Sequence, residues 1–150
     1  MLAQDSQLLV YPLFALAELS FLHAEQLKQH HAAQSQECRT RKGMVCPPQD
    51  TRKDTRKEAE KERAYYLAAA VYAYAVLFPE DPQNALQDPA DPRLRLSYDL
   101  YNRGLAEGLA SADGKEVVLR SGSRLLPFGT LEIRSTTAEF AWAGYPLEHF

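Results

Sequence analysis

Residues 64–78 read AYYLAAAVYAYAVLF, without a single charged side chain. A helix of this composition has no face that prefers water, so it has to be covered on every side. The run is shorter than the ~18 apolar residues that indicate a membrane-spanning helix. The cover must therefore come from protein, which makes this segment a central helix around which the rest of the chain is organised. Tyr65, Tyr66, Tyr72 and Tyr74 supply bulk that ends in a hydroxyl, and each hydroxyl that is buried needs a hydrogen-bond partner. Pro79 ends the segment.

Two further stretches can provide the cover. In the first, Leu13, Leu16, Ala17, Phe21, Ala24 and Leu27 recur at helical spacing, which predicts a helix over 12–32 with Pro12 in its first turn. The second is DPRLRLSYDLYNRGLAEGL, residues 91–109. Asp91 followed by Pro92 suits an N-cap and the first helical position. Projected at about 100° per residue, Leu94, Tyr98, Tyr101, Leu105 and Leu109 form one stripe. Leu96 and Leu100 point to roughly the opposite side. A third side carries Ser97, Gly104 and Gly108, where another backbone can approach closely. Arg95, Asp99, Arg103 and Glu107 follow at i,i+4 spacing with alternating sign, the pattern of a surface ion ladder. Asn102 lies beside the apolar stripe, where a buried amide would need a partner such as a tyrosine hydroxyl or a loop carbonyl.

Between the first helix and the apolar segment the periodicity lapses. Gly43 and the pair Pro47–Pro48 exclude one continuous helix, so a flexible connector is expected near 33–56. TRKDTRKEAEKER, residues 51–63, is charged on every face. Arg56 with Glu60 is a favourable i,i+4 pair, whereas Lys57 with Lys61 is a like-charge one. A solvated helical lead-in to the apolar helix is the expectation. His30, His31, Cys38 and Cys46 are metal-ligating residue types, but the cysteines are further apart than the two to four residues usual between paired zinc ligands. The Arg- and Lys-rich surroundings would also repel a cation. Free thiols and solvated histidines are the expected state, with no metal and no cofactor.

After the turn signal SADG the period changes. Short β-type runs at 116–119, 130–134 and 139–142 are separated by Gly, Ser and Pro. Two or three strands are marginal unless they pack on something else. The reading is thus a mainly α fold: three or more packed helices followed by a small β-hairpin or partial sheet at the C-terminus. Residues 1–112 form the helical region and 113–150 the β-rich segment, which is expected to need further chain for completion.

The net charge of the chain is −3, with acidic and basic residues interleaved. Such a distribution offers a phosphate backbone no uniform field, so nucleic acid is not an expected partner. Residues 1–14 lack a basic n-region and a small-residue cleavage site, and do not read as a signal peptide. No G-x-S-x-G elbow, phosphate-binding loop, G-x-G-x-x-G or H-E-x-x-H occurs. Ser123 is the nearest approach to a nucleophile, but it is expected between strands, lacks the second glycine and has no assignable base. No catalytic residue is assigned in this chain.

Four blocks carry a resemblance: LFALAELSFLHAEQ (13–26), YYLAAAVYAYAVLFPE (65–80), DPRLRLSYDLYNRGLAEGLA (91–110) and LPFGTLEI with WAGYPLEHF near the end. In this order they resemble the N-terminal region of bacterial α/β-hydrolase-fold proteins of the esterase/lipase type. The resemblance implies a helical region with tetratricopeptide-like helix pairing that precedes the hydrolase domain. It implies a serine, an acid and a histidine beyond Phe150, so that no catalytic role passes to a residue of this chain. Many members begin with a lipoprotein signal, which implies association with the cell envelope. This chain departs from the pattern by its basic-acidic insertion and by the absence of a leader.

Two functions are therefore expected. One is a non-catalytic accessory region of a serine esterase or lipase, its partner being the downstream hydrolase domain or another protein. The other is a free-standing helical protein-interaction module. For the latter, Tyr72, Tyr98, Tyr101 and Asn102, with Phe21, are the candidate groove residues.

Overall fold

The computed structural model describes residues 3–40, 50–82, 85–86, 88–111, 116–134, 141–142 and 145–146. Three helices, α1 (Ala3–Thr40), α2 (Asp50–Leu77) and α3 (Pro92–Gly108), are followed by the strands β1 (Gly122–Leu126) and β2 (Gly129–Ile133). Two further short strands are β3 (Ala141–Trp142) and β4 (Tyr145–Pro146). The chain is mainly helical, three packed helices with a C-terminal antiparallel hairpin.

The apolar segment is the centre of the bundle, but it is not covered on every side as expected, since Tyr74 and Phe78 near its end stay about half exposed. Tyr66, Leu67, Ala68, Ala69, Ala70, Ala73 and Val76 of α2 are all buried. On one side Ala17, Phe21 and Ala24 of α1 and Leu100 of α3 close over Tyr66, Ala69 and Ala73. On another, Leu67 packs with Leu109 and with Leu126 of the hairpin, flanked by Val71, Leu105, Leu131 and Ile133. Pairings along the interfaces set the directions. Glu25 meets Tyr66 and His31 meets Glu62, so α1 and α2 are antiparallel. Arg63 reaches the carbonyl of Ser111, and the rings of Tyr74 and Tyr101 lie 6.0 Å apart, so α2 and α3 are antiparallel too. No helix among the described residues is long and apolar enough to cross a membrane.

The first helix is longer at both ends than periodicity suggests. It starts at Ala3, so Pro12 stands inside it rather than in its first turn. Pro12 is exposed and supplies no N–H to the helical ladder. At the other end helical backbone continues to Thr40, and α2 begins at Asp50. The expected connector near 33–56 is helical over 33–40 and 50–56, and 41–49 lies outside the described residues. AAQSQE is rich in good helix formers but carries no apolar stripe, and periodicity registers burial rather than helicity.

In α3 the small-residue side is the one that packs most deeply. Ser97, Leu100, Gly104 and Gly108 are buried. A Cβ at Gly104 would stand 2.7 Å from the carbonyl oxygen of Tyr66 and 3.1 Å from the Cβ of Ala70. One at Gly108 would stand 2.6 Å from the Cγ of Leu67. The two glycines let α3 lie directly on α2, with backbone near backbone. Asp91 caps the helix as expected, accepting from the backbone N–H of Arg93 at 2.9 Å. The Arg93 guanidinium returns to the same carboxylate and holds it below the usual carboxylate range.

The hairpin runs from Gly122 to Ile133 with Leu126 opposite Gly129 across a two-residue turn. Leu126, Leu131 and Ile133 face the helices, whereas Ser123, Leu125, Thr130 and Glu132 face outward. The strand expected at 130–134 is β2. The strand expected at 116–119 is absent. That segment instead folds back on the end of α3 through one bridge, Ala110 with Val117, and a bond from Val118 N–H to the Leu109 carbonyl at 2.8 Å. Ser123, expected between strands, lies within β1. The Gly, Ser and Arg at its start hid that strand, because strand propensity there comes from pairing with β2 and from packing on α2.

Candidate functional site

The candidate groove residues read from the sequence occupy different surroundings. Phe21 is in the helical core, its ring 5.3 Å from that of Tyr66. Tyr72 is half-buried, 4.8 Å from the ring of Phe128 at the hairpin turn. Tyr101 is half-buried against the helical core. Tyr98 is 47% exposed, and Asn102 is exposed, so its amide is open to water and does not require the partner expected for it.

The expected ion ladder along α3 turns out to join two helices. Arg103 Nη2 lies 3.4 Å from Glu25 Oε1, and Lys28 Nζ lies 2.8 Å from Glu107 Oε2. The Tyr66 hydroxyl donates to Glu25 Oε1 at 2.9 Å. Burial, reinforced by the hydrogen bond to Glu25, raises the Tyr66 hydroxyl far above the usual tyrosine range. A group so reluctant to ionise is neither a base nor a nucleophile, and the cluster Tyr66, Glu25, Arg103 acts as a polar clamp among the three helices. A second clamp joins α1 to the charged lead-in of α2. His31 Nδ1 lies 2.9 Å from Glu62 Oε2, and its Nε2 lies 3.4 Å from Glu58 Oε2.

The concave feature with the capacity of a ligand site lies elsewhere, between the first half of α2, the end of α3 and β1. This cleft has a volume of about 860 Å³. Leu67, Leu109 and Leu126, all buried, lie at its base. Five cationic side chains line it: Lys57, Lys61 and Arg63 from α2, Arg120 from the segment before the hairpin, and Arg124 from β1. Among the described residues Glu60 is the one acidic residue in the lining, and its carboxylate is held by Arg56 Nε at 3.1 Å. Arg63 Nη2 donates to the Ser111 carbonyl at 3.0 Å, and Arg124 Nη1 to the Ser123 carbonyl at 3.3 Å. Neither bond neutralises the guanidinium. Ser123 also lines the cleft, but among the described residues no histidine does. The arrangement can bind an anion beside apolar surface, and among the described residues it holds no nucleophile–base pair.

A smaller cavity of about 140 Å³ lies beside Tyr11, Leu86 and Arg93. Its cation is already engaged, by the Asp91 carboxylate and by the Tyr11 ring with its centroid 4.4 Å away.

Sequence reasoning missed the large cleft because its cations come from three segments brought together only by the α2–α3–β1 packing. One local signal was present. Lys57 and Lys61 form an unfavourable like-charge i,i+4 pair, which concentrates positive potential on one side of α2. Among the described residues no group of three or more His, Cys, Asp or Glu side chains is placed to hold a metal ion. The side chain of Cys38 and the whole of Cys46 lie outside them.

No protein-family model, no curated protein and no solved structure matches the chain.

Proposed function

We propose that this chain is a non-catalytic helical accessory region of an α/β-hydrolase-like serine esterase or lipase, the catalytic serine, acid and histidine lying outside it. The in-order blocks in residues 13–26, 65–80 and 91–110 support this reading from the sequence. The observation that carries it structurally is the hairpin, whose outer face presents Leu125 at 78% exposure, with Phe128 exposed at its turn. A two-stranded hairpin with apolar groups turned to solvent gains stability when another body covers them, and a hydrolase domain is the partner the resemblance supplies. Tetratricopeptide-like pairing of α1 with α2, and association with the cell envelope, belong to the same proposal.

Two measurements test it. The isolated chain should hydrolyse no p-nitrophenyl ester and take up no fluorophosphonate probe. The transcript read past the codon for Phe150 should continue in frame into a strand, G-x-S-x-G and a later Asp and His. A stop at that point, with no hydrolase subunit recovered with the chain, overturns the proposal.

The second reading, a helical interaction module, draws on Leu16, Leu19 and Leu22, which form an exposed apolar ridge on α1, and on Tyr98. Tyr98→Ala should then leave folding intact and abolish partner binding.

A further inference from the structure

We propose that the cleft between α2, the end of α3 and β1 binds an amphiphilic anion, an apolar chain ending in a carboxylate. The inference stands on the cleft alone and does not rest on the hydrolase reading.

The charge balance of the cleft opposes that of the whole chain. The chain carries a net −3, yet among the described residues the cleft is lined by Lys57, Lys61, Arg63, Arg120 and Arg124 against Glu60 alone. Glu60 is taken by Arg56, and among the described residues none of the five cations is paired with a carboxylate. Holding several like charges near one another without counter-charges is unfavourable, and an anion in the cleft relieves it. Unpaired cations alone would suit any anion. The apolar lining narrows the choice, because Leu125 and Pro127 present exposed aliphatic carbon with Ala64, Tyr65 and Val118 half-buried beside them. A phosphate backbone or an inorganic anion would leave that lining wet. A ligand with one charged end and an aliphatic body satisfies both, its head among the cations and its chain along that apolar lining. The volume, about 860 Å³, falls within the roughly 300–1,000 Å³ typical of small-molecule sites. Leu125, on the edge of the cleft and largely exposed, can fold over such a chain.

The test is calorimetric titration of the full chain with dodecanoate below its micellar concentration. The expected result is saturable binding of one ligand per chain, weakened by added salt. Dodecanol and dodecyltrimethylammonium, with the same tail and a neutral or cationic head, should bind at least about tenfold more weakly. Lys61→Glu and Arg124→Glu should each weaken dodecanoate binding about tenfold, and Leu125→Asp should do so through the tail. Arg95→Glu, an exposed charge reversal on α3 outside the cleft, should leave it unchanged. Circular dichroism establishes that each variant is folded, and the exposed positions Lys61 and Leu125 can be altered without disturbing the core. Equal affinity for dodecanol overturns the proposal. So do the absence of saturable binding, unchanged affinity in folded Lys61→Glu and Leu125→Asp, and preference for phosphatidylglycerol vesicles or an acidic amphipathic peptide over dodecanoate.

Discussion

The hydroxyl of Tyr66, on a side chain with no exposed surface, donates a 2.9 Å hydrogen bond to the carboxylate of Glu25 on the neighbouring helix. Arg103 of the third helix approaches the same oxygen, and Lys28 lies 5.8 Å from the centre of the Tyr66 ring. One phenol thus ties the apolar middle of α2 to a charged rim shared by α1 and α3.

Tyr66→Phe should destabilise the fold by about 1.5 kcal/mol, the typical worth of a hydrogen bond to a charged group near the surface. The pH dependence gives a second readout. The folded protein raises the Tyr66 hydroxyl above the ordinary value near 10, so above that pH the unfolded chain loses a proton that the folded chain keeps. Unfolding then releases a proton, and stability falls as pH rises. The contribution is intact below about pH 10 and lost above it. Denaturant melts from pH 8 to 11 should show a shallower alkaline decline in Tyr66→Phe than in the wild type.

Gly104→Ala should lower stability by a net 1–2 kcal/mol or about that, despite the ~1 kcal/mol that alanine gains over glycine in helix propensity. The new Cβ meets the backbone oxygen of Tyr66, which cannot move without shifting α2. At Gly108 the first obstacle is the side chain of Leu67. In a double-mutant cycle, Leu67→Ala should therefore offset part of the cost of Gly108→Ala. Urea unfolding of the four proteins measures the coupling, and strictly additive costs would contradict the packing described.

Ser97 is fully buried on the same face, and its Oγ has no hydrogen-bond partner among the described residues. Removing a desolvated, unpaired hydroxyl relieves a cost. Ser97→Ala should leave stability unchanged or raise it by about 1 kcal/mol. A drop of more than that in the melting analysis would reveal a bond that the geometry lacks.

Leu125 and Leu126 are adjacent in sequence and opposite in environment, 78% and 5% exposed. Leu126→Ala should cost about 2–3 kcal/mol and loosen the hairpin from α2. Leu125→Ala should stay within about 0.5 kcal/mol of the wild type. Amide exchange in β1 and β2 distinguishes the two, since only the former should accelerate it while α2 stays protected.

The helical architecture was legible because its signals are local. The uncharged run of α2, the Asp91–Pro92 start of α3 and the alternation in β2 each express a preference that a window of residues carries by itself. The ends of α1 were not, since residues 33–40 form helix without contributing an apolar stripe. The expected strand at 116–119 failed for the opposite reason. Val117 and Val118 favour extended backbone, but among the described residues they bond with the end of α3 rather than with a strand.

The placement of function followed the same division. Tyr98 and Asn102 share a helix with the buried glycines, and spacing showed that another backbone could approach the side with least bulk but not that α2 would be the element packed there. It is the absence of side chains at 104 and 108 that lets two backbones approach, and this selects the buried face.

What the amino-acid sequence determined by itself was which segments must leave water and with what period, because hydrophobicity and helix propensity act within a few turns of chain. What only the tertiary structure decided was which charges meet. Glu25 with Arg103, His31 with Glu62, and the five cations around one apolar cleft are separated along the chain and joined by the crossing of helices. Coulombic and desolvation energies depend on distance in space, and that distance exists only once the core has closed.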